Sequence, residues 1–286
     1  MTSRSLKVLF AALLCAGAAH AQLATYLTLP KHQHVAGEPV LVTITVTNHA
    51  GKELLFHSNG RFQWMDFILK KSNGDPVNVR GNTLFGPMKI EPGQTLSRQV
   101  DLARYFQLSE PGNYSVYAVI HPPGENMEGA STNRELFTQS SGHLYWSQKV
   151  GTSRGIRQYR ILNFTGDSKT QLYAQIVDSD SGQLVRTFLL GEVLMFRKPV
   201  ATVDREQHLH VMYLATPTMW VHYIINTDGK VVNRQIHQRA EQGDPELVTL
   251  SDGTVRVVNS IPYDPEAVAR QRAKIHKTSD RPPITY

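Results

Sequence analysis

Through the first half of the chain, apolar and polar positions alternate in short runs separated by turn residues. The run at 39–48, PVLVTITVTN, sets Val40, Val42, Ile44 and Val46 on one face and Thr43, Thr45 and Thr47 on the other. A period of two filled with β-branched residues predicts a half-buried strand. Gly37-Glu38-Pro39 opens it and Asn48-His49-Ala50-Gly51 closes it. Further strands are predicted at 24–29, 62–70, 95–102 and 113–121, with a weaker one at 135–139. Only 102–106 has room for one helical turn. Short strands punctuated by turns about every ten residues predict a β-sandwich over residues 22–142. The polar, glycine-containing stretch 122–134 reads as a loop or hairpin tip, and Ser140-Ser141-Gly142 as the domain boundary.

The second half repeats itself. YAQIVDSDSGQLV at 173–185 parallels VHYIINTDGKVV at 221–232, each a strand, an acidic turn closed by glycine, and a second strand. PVATVDREQHLHVM at 199–212 likewise parallels PELVTLSDGTVRVVN at 245–259, aligning Leu209 with Val255 and Val211 with Val257. The first member of that pair lacks the turn glycine. A four-stranded unit returning after about 46 or 47 residues predicts blade-like β-meanders over residues 143–262. About two and a half units are visible, whereas closed propellers usually need at least four. Closure by association of copies and an open meander both satisfy that count.

Two resemblances follow from these stretches. GEPVLVTITVTN, with Glu91-Pro92-Gly93-Gln94-Thr95 after it, resembles secreted bacterial immunoglobulin-like modules. LSEPGNYSVYA at 108–118 is similar to the tyrosine corner of such domains, which implies that the Tyr114 phenol bonds backbone at a strand corner. The repeats of the second half resemble propeller-type blades in general, without a WD or kelch signature. The fold class expected is all-β: an N-terminal immunoglobulin-like sandwich plus C-terminal antiparallel blade-like β-meander repeats. The resemblances imply architecture and carry no activity.

Composition alters this picture at the ends. Arg4 and Lys7 precede an apolar run at 8–16, and Ala19-His20-Ala21 offers small residues for cleavage, so residues 1–21 read as a signal peptide. Cys15, the single cysteine, falls inside that leader, and Leu14 before it is wrong for lipidation. The exported chain therefore needs cores that hold without disulfides. Phe62, Trp64 and Phe67 are expected to supply the apolar bulk that a bridge supplies elsewhere. The formal net charge of +6 is small and scattered, which argues against nucleic acid as a partner. No segment after the leader is apolar enough for a membrane-spanning helix. The expected location is periplasmic or extracellular. Residues 263–286 read as a flexible basic tail, with a short helix at 265–277.

Candidate chemistry is sparse. Gly151-Thr152-Ser153-Arg154-Gly155 matches the G-x-S-x-G pattern, but a nucleophile elbow needs a strand before it and a helix after it, and the following run alternates like a strand. His208 and His210 share a strand face by alternation, and His222 lies on the next predicted strand. Three converging imidazoles would hold zinc or copper, although no Asp or Glu is expected on that face. His32 and His34 read as a solvated edge. Asp178, Asp180 and Asp228 precede turn glycines and are explained by turn geometry. Arg154, Arg157 and Arg160 divide between strand faces. The leading expectation is an exported, non-catalytic binding or assembly protein whose partner is a protein or an envelope component, with homo-oligomerisation open. The alternative is a metal-dependent or other hydrolase using an inter-domain cleft.

Overall fold

The computed structural model describes residues 23–59, 62–81, 84–124, 129–166, 169–264, 266 and 270. The leader at 1–21 and all but Glu266 and Arg270 of the helix expected at 265–277 lie outside those residues. The described chain is all-β, and among the described residues no helix is long and apolar enough to cross a membrane. It divides into two compact units, Met1–Ser141 and Gly142–Tyr286.

The first unit contains β1 (Leu23–Thr28), β2 (Gln33–Val35), β3 (Leu41–Asn48), β4 (Leu54–Phe56), β5 (Met65–Lys71), β6 (Met88–Ile90) and β7 (Thr95–Asp101). A 3-10 turn (Leu102–Arg104) follows, then β8 (Gly112–Ile120), β9 (Ala130–Ser131) and β10 (Glu135–Ser140). One sheet runs β1-β3-β7 and a second β2-β10-β8-β5 with β9 on β8, while β4 and β6 pair separately. All pairings are antiparallel except β2 with β10. The alternation in β3 emerges as expected: Val42, Ile44 and Val46 are buried and the threonines between them half-buried. Both sheets feed one core, in which Leu27, Ile44, Trp64, Val116 and Ile120 are almost fully enclosed.

Trp64 illustrates how that core holds without a disulfide. Its ring lies beside Phe56, at 5.3 Å between centroids, and its Nε1–H donates to the Gly86 carbonyl at 3.2 Å. Burying a large aromatic while satisfying its one donor stabilises by several kcal/mol, on the order of 25 cal/mol per Å² of apolar surface. Phe67 packs at the margin of the same core. Phe62 departs from expectation: it is 46% exposed, and its ring meets His121 edge-on at 5.5 Å. At the start of β8, the Tyr114 hydroxyl donates to the Glu110 carbonyl at 2.8 Å, and its ring stacks on Phe137.

The second unit begins with β11 (His143–Thr152), β12 (Gly155–Thr165), β13 (Thr170–Asp178) and β14 (Leu184–Glu192), paired in chain order. A second meander follows: β15 (Val200–Val203), β16 (Leu209–Thr216), β17 (Met219–Ile225) and β18 (Val231–Arg239). After β19 (Glu246–Thr249) and β20 (Val255–Val258), which form a separate hairpin, β21 (Ser260–Pro262) returns to the β18 edge. Four consecutive antiparallel strands in up-and-down order make each meander propeller-like.

The turns obey the sequence repeat. Gly182 and Gly229 close the β13–β14 and β17–β18 turns at φ 69° and 74°. The other pair is Gln207 and Gly253, at φ 65° and 79°. Gln207 thus adopts the left-handed geometry that its partner copy assigns to glycine. Layering decides burial. Tyr159, Ile161, Leu172 and Ile176 of the first meander pack with Leu209, Val211, Tyr213 and Tyr223 of the second. On the other face of the second meander, Met212, Leu214 and Trp220 pack against Leu247 and Val257 of the β19–β20 hairpin. Leu209–Leu214 is consequently buried at every position.

Replacing Tyr114 by Phe keeps the ring packing and removes the hydroxyl that donates to the Glu110 carbonyl. The expected cost is about 1 kcal/mol, read as a lower urea midpoint for hydrogen-exchange protection of β8 and β10 peptides. An unchanged midpoint would remove any stabilising role for this corner.

Candidate functional site

Strand register builds the site. His222 of β17 stands opposite Met212 of β16 and Gln235 of β18, while His237 of β18 stands opposite Trp220. Cross-strand partners share a face, as do residues two apart on one strand. His210, His222 and His237 therefore form a diagonal file across β16, β17 and β18, on the face that the β19–β20 hairpin helps to cover. The same rule carries Asp204 there. Thr202 pairs with His210, and Asp204 lies two residues on, at the start of the β15–β16 turn.

The file is bonded end to end for most of its length. Asp204 Oδ2 lies 3.0 Å from His210 Nε2, and His210 Nδ1 lies 3.1 Å from His222 Nε2. The His222 ring is tilted toward His237 at 6.0 Å between centroids. Asp204, His210, His222 and His237 are 8%, 3%, 5% and 3% exposed, which makes unpaired polar atoms among them costly. With both imidazoles neutral, an ionised Asp204 accepts from His210 Nε2–H, leaving His210 Nδ1 to accept from His222 Nε2–H. Neither ring nitrogen of His237 has a hydrogen-bond partner among the described residues. His208 sits at the open end, with its N–H donating to Asp204 Oδ1 at 2.8 Å and its Nδ1 3.4 Å from Asp204 Oδ2.

The electrostatics follow from burial. Burial alone would raise the Asp204 carboxyl, but hydrogen bonds from His210 and from the His208 backbone, with the imidazoles themselves, hold it below its ordinary value. Burial and the neighbouring imidazoles push His222 down to about 4. Burial also lowers His237.

Of the three imidazoles expected to converge, His210 and His222 meet directly, and His208 joins them only through Asp204. The expectation that no carboxylate shares the face fails, because the turn keeps Asp204 in phase with β15. His237 was legible only through the register imposed by the Asn226–Gly229 turn.

The remaining candidates resolve into turns and pairs. His34 is buried, correcting its assignment to a solvated edge: its Nδ1 meets Glu38 Oε1 at 2.7 Å and its Nε2 the Lys31 carbonyl at 2.7 Å, while Lys31 also pairs with Glu38. His32 is exposed, with Nδ1 2.9 Å from the Leu136 carbonyl. Ser153 lies in the turn between antiparallel β11 and β12, so its G-x-S-x-G match has no following helix. Asp178 Oδ1 accepts from the N–H groups of Asp180 and Ser181 at 3.2 and 2.9 Å, and its Oδ2 pairs with Arg157. Asp180 Oδ2 accepts from the Ile156 N–H at 3.4 Å. Asp228 pairs with Arg154 at 3.3 Å, and Arg160 is held by Gln158 and Gln175. No family model matches the chain, and no curated protein is similar to it in sequence.

The His222 shift has a definite sign. As pH falls below the ordinary histidine value of 6.5, the unfolded chain takes up a proton that folded His222 refuses until about 4. Stability is therefore full above that window and falls within it, by on the order of 3 kcal/mol from this group. His237 acts in the same direction. Urea unfolding of chelator-treated protein at several pH values between 7.5 and 4 checks this. His222→Gln should flatten the dependence, and an equally steep variant would assign it to other groups.

Proposed function

We propose that this is an exported, non-catalytic binding or assembly protein, in which an immunoglobulin-like module precedes propeller-type blades. The strand order β1-β3-β7 and β2-β10-β8-β5, with β2 parallel to β10, supports the immunoglobulin-like reading, as does the Tyr114–Glu110 corner. Export is supported by the leader pattern at 1–21 and by the confinement of cysteine to it.

The observation that carries a binding role is the β19–β20 hairpin. Its inward face, Leu247 and Val257, packs on the second meander. Its other side leaves Val248 and Leu250 at 36% and 37% exposure, and among the described residues no further strand extends this two-stranded sheet. An incomplete blade with open edges suits strand addition by a protein partner or an envelope component, or by a second copy. Cross-linking in the native envelope fraction tests the reading. The unaltered chain should capture a defined partner or itself, and V248D/L250D should reduce capture about tenfold, equivalent to about 1.4 kcal/mol. Equal capture by the variant, or light scattering of a lone monomer with nothing captured, would refute it.

A further inference from the structure

The β15–β16 turn departs chemically from its repeat partner while keeping the same backbone. Placing Gln207 on Gly253 sets Asp204, Glu206, His208 and His210 on Leu250, Asp252, Thr254 and Arg256. In the second copy, Asp252 Oδ1 simply closes the turn, accepting from the N–H and hydroxyl of Thr254 at 2.9 and 2.7 Å. The first copy holds the geometry with a non-glycine residue at φ 65°. The Gln207 carbonyl accepts from Tyr159 at 2.7 Å, and its N–H donates to the Asp204 carbonyl at 3.1 Å. A side-chain-bearing residue in this region costs on the order of 1 kcal/mol and persists where surrounding structure enforces it, often beside functional groups.

That turn brings three possible ligand groups together. Donor atoms of Asp204, Glu206 and His208 all lie within 4.8 Å of one another. The gap of 3.4 Å between Asp204 Oδ2 and His208 Nδ1 matches the separation of two ligand atoms on a tetrahedral zinc ion, about 3.3–3.4 Å for bonds near 2.0–2.1 Å. The His208 and Glu206 side chains are 31% and 49% exposed, so an ion can reach them and retain water. Arg205 Nε donates to Glu206 Oε1 at 2.8 Å, a contact that binding would loosen.

We propose that Asp204, Glu206 and His208 bind one zinc-class divalent ion, and that His210 and His222 position the Asp204 carboxylate without touching the metal. Two carboxylates and one imidazole, with positions left for water, suit a borderline divalent ion better than Cu(I), which prefers thiolate or thioether ligands. The buried file then has a purpose. Asp204 Oδ1 is held by the His208 N–H, His210 occupies one side of Oδ2, and His222 fixes the orientation of His210. Hydrogen-bonded partners of this kind orient metal ligands, and their loss typically weakens binding about 10–100-fold. The site differs from a cluster of His208, His210 and His222, because the mutual contact of His210 and His222 lies behind the carboxylate.

Calorimetric titration of tag-free, chelator-stripped protein with zinc chloride tests this, alongside long-range nitrogen–proton NMR of the imidazoles. One ion per chain is expected. His208→Gln and Glu206→Gln should each weaken binding at least about tenfold, and His222→Gln should weaken it by a similar factor with the stoichiometry retained. The His208 Nδ1 resonance should shift on zinc addition while both His237 nitrogens stay in place. Circular dichroism of the two exposed-site variants guards against misfolding. Absence of saturable binding overturns the proposal, as does binding indifferent to His208→Gln and Glu206→Gln. So does binding lost in His237→Asn but kept in His208→Gln, which would put the ion among the buried imidazoles.

Discussion

The hydrogen bond between Asp204 and His210 is the contact around which the second unit is arranged. β16 is covered on both faces, so any polar group on it must be satisfied by protein. Its inner alternation, Leu209, Val211 and Tyr213, meets the first meander with little polar demand. The opposite alternation begins with an imidazole at 3% exposure. Asp204 resolves this by placing a carboxylate 3.0 Å from Nε2. Once that bond is made, His210 Nδ1 needs a partner of its own, and His222 supplies it. Such chains strengthen one another where the dielectric is low, and they penalise any member left unpaired. His237, whose ring nitrogens have no partner among the described residues, marks where the chain stops.

Both units solve a shared problem, holding sheets together without disulfides. In the first, Trp64 and the β3 aliphatic face concentrate apolar surface between two sheets. In the second, two meanders and a hairpin stack so that each apolar face finds another. Where hydroxyls meet buried backbone, they are used: Tyr213 and Tyr223 both donate to the Leu190 carbonyl, at 2.7 and 3.0 Å. Burial pushes the Tyr213 phenol far upward, so it remains a donor throughout the ordinary pH range.

The repeat separates architecture from chemistry. Gly182 and Gly229 occupy equivalent turns with the same hand, and Gln207 reproduces the conformation of Gly253 with a side chain attached. Turn geometry is thus common to the copies. Asp204, His208 and His210 have no acid or imidazole at the matching positions of the other copy, where only Asp252 answers Glu206, so the distinctive chemistry gathers around one hairpin.

Much of the fold was legible beforehand because it is local. Period-two alternation in β3, the acidic turns at Asp178 and Asp228, and the spacing of the repeats depend on residues near one another in the chain. The candidate site was legible in part. His208, His210 and His222 could be chosen by parity, but the carboxylate among them depends on Asp204 keeping the phase of β15 past the end of the strand. Phe62 is exposed where core is expected, because an apolar residue two positions from Trp64 gives no sign of which side of the sheet edge it will take. His34 is buried where a solvated edge is expected, because its partner, Glu38, lies across a turn. By itself the sequence determined alternation, turn chemistry and periodicity, which short-range sterics and burial enforce. Tertiary structure alone decided which polar residues became buried, since burial is set by the layer that closes over them. That layer is what turned His210, His222 and His237 from strand residues into the enclosed file behind Asp204.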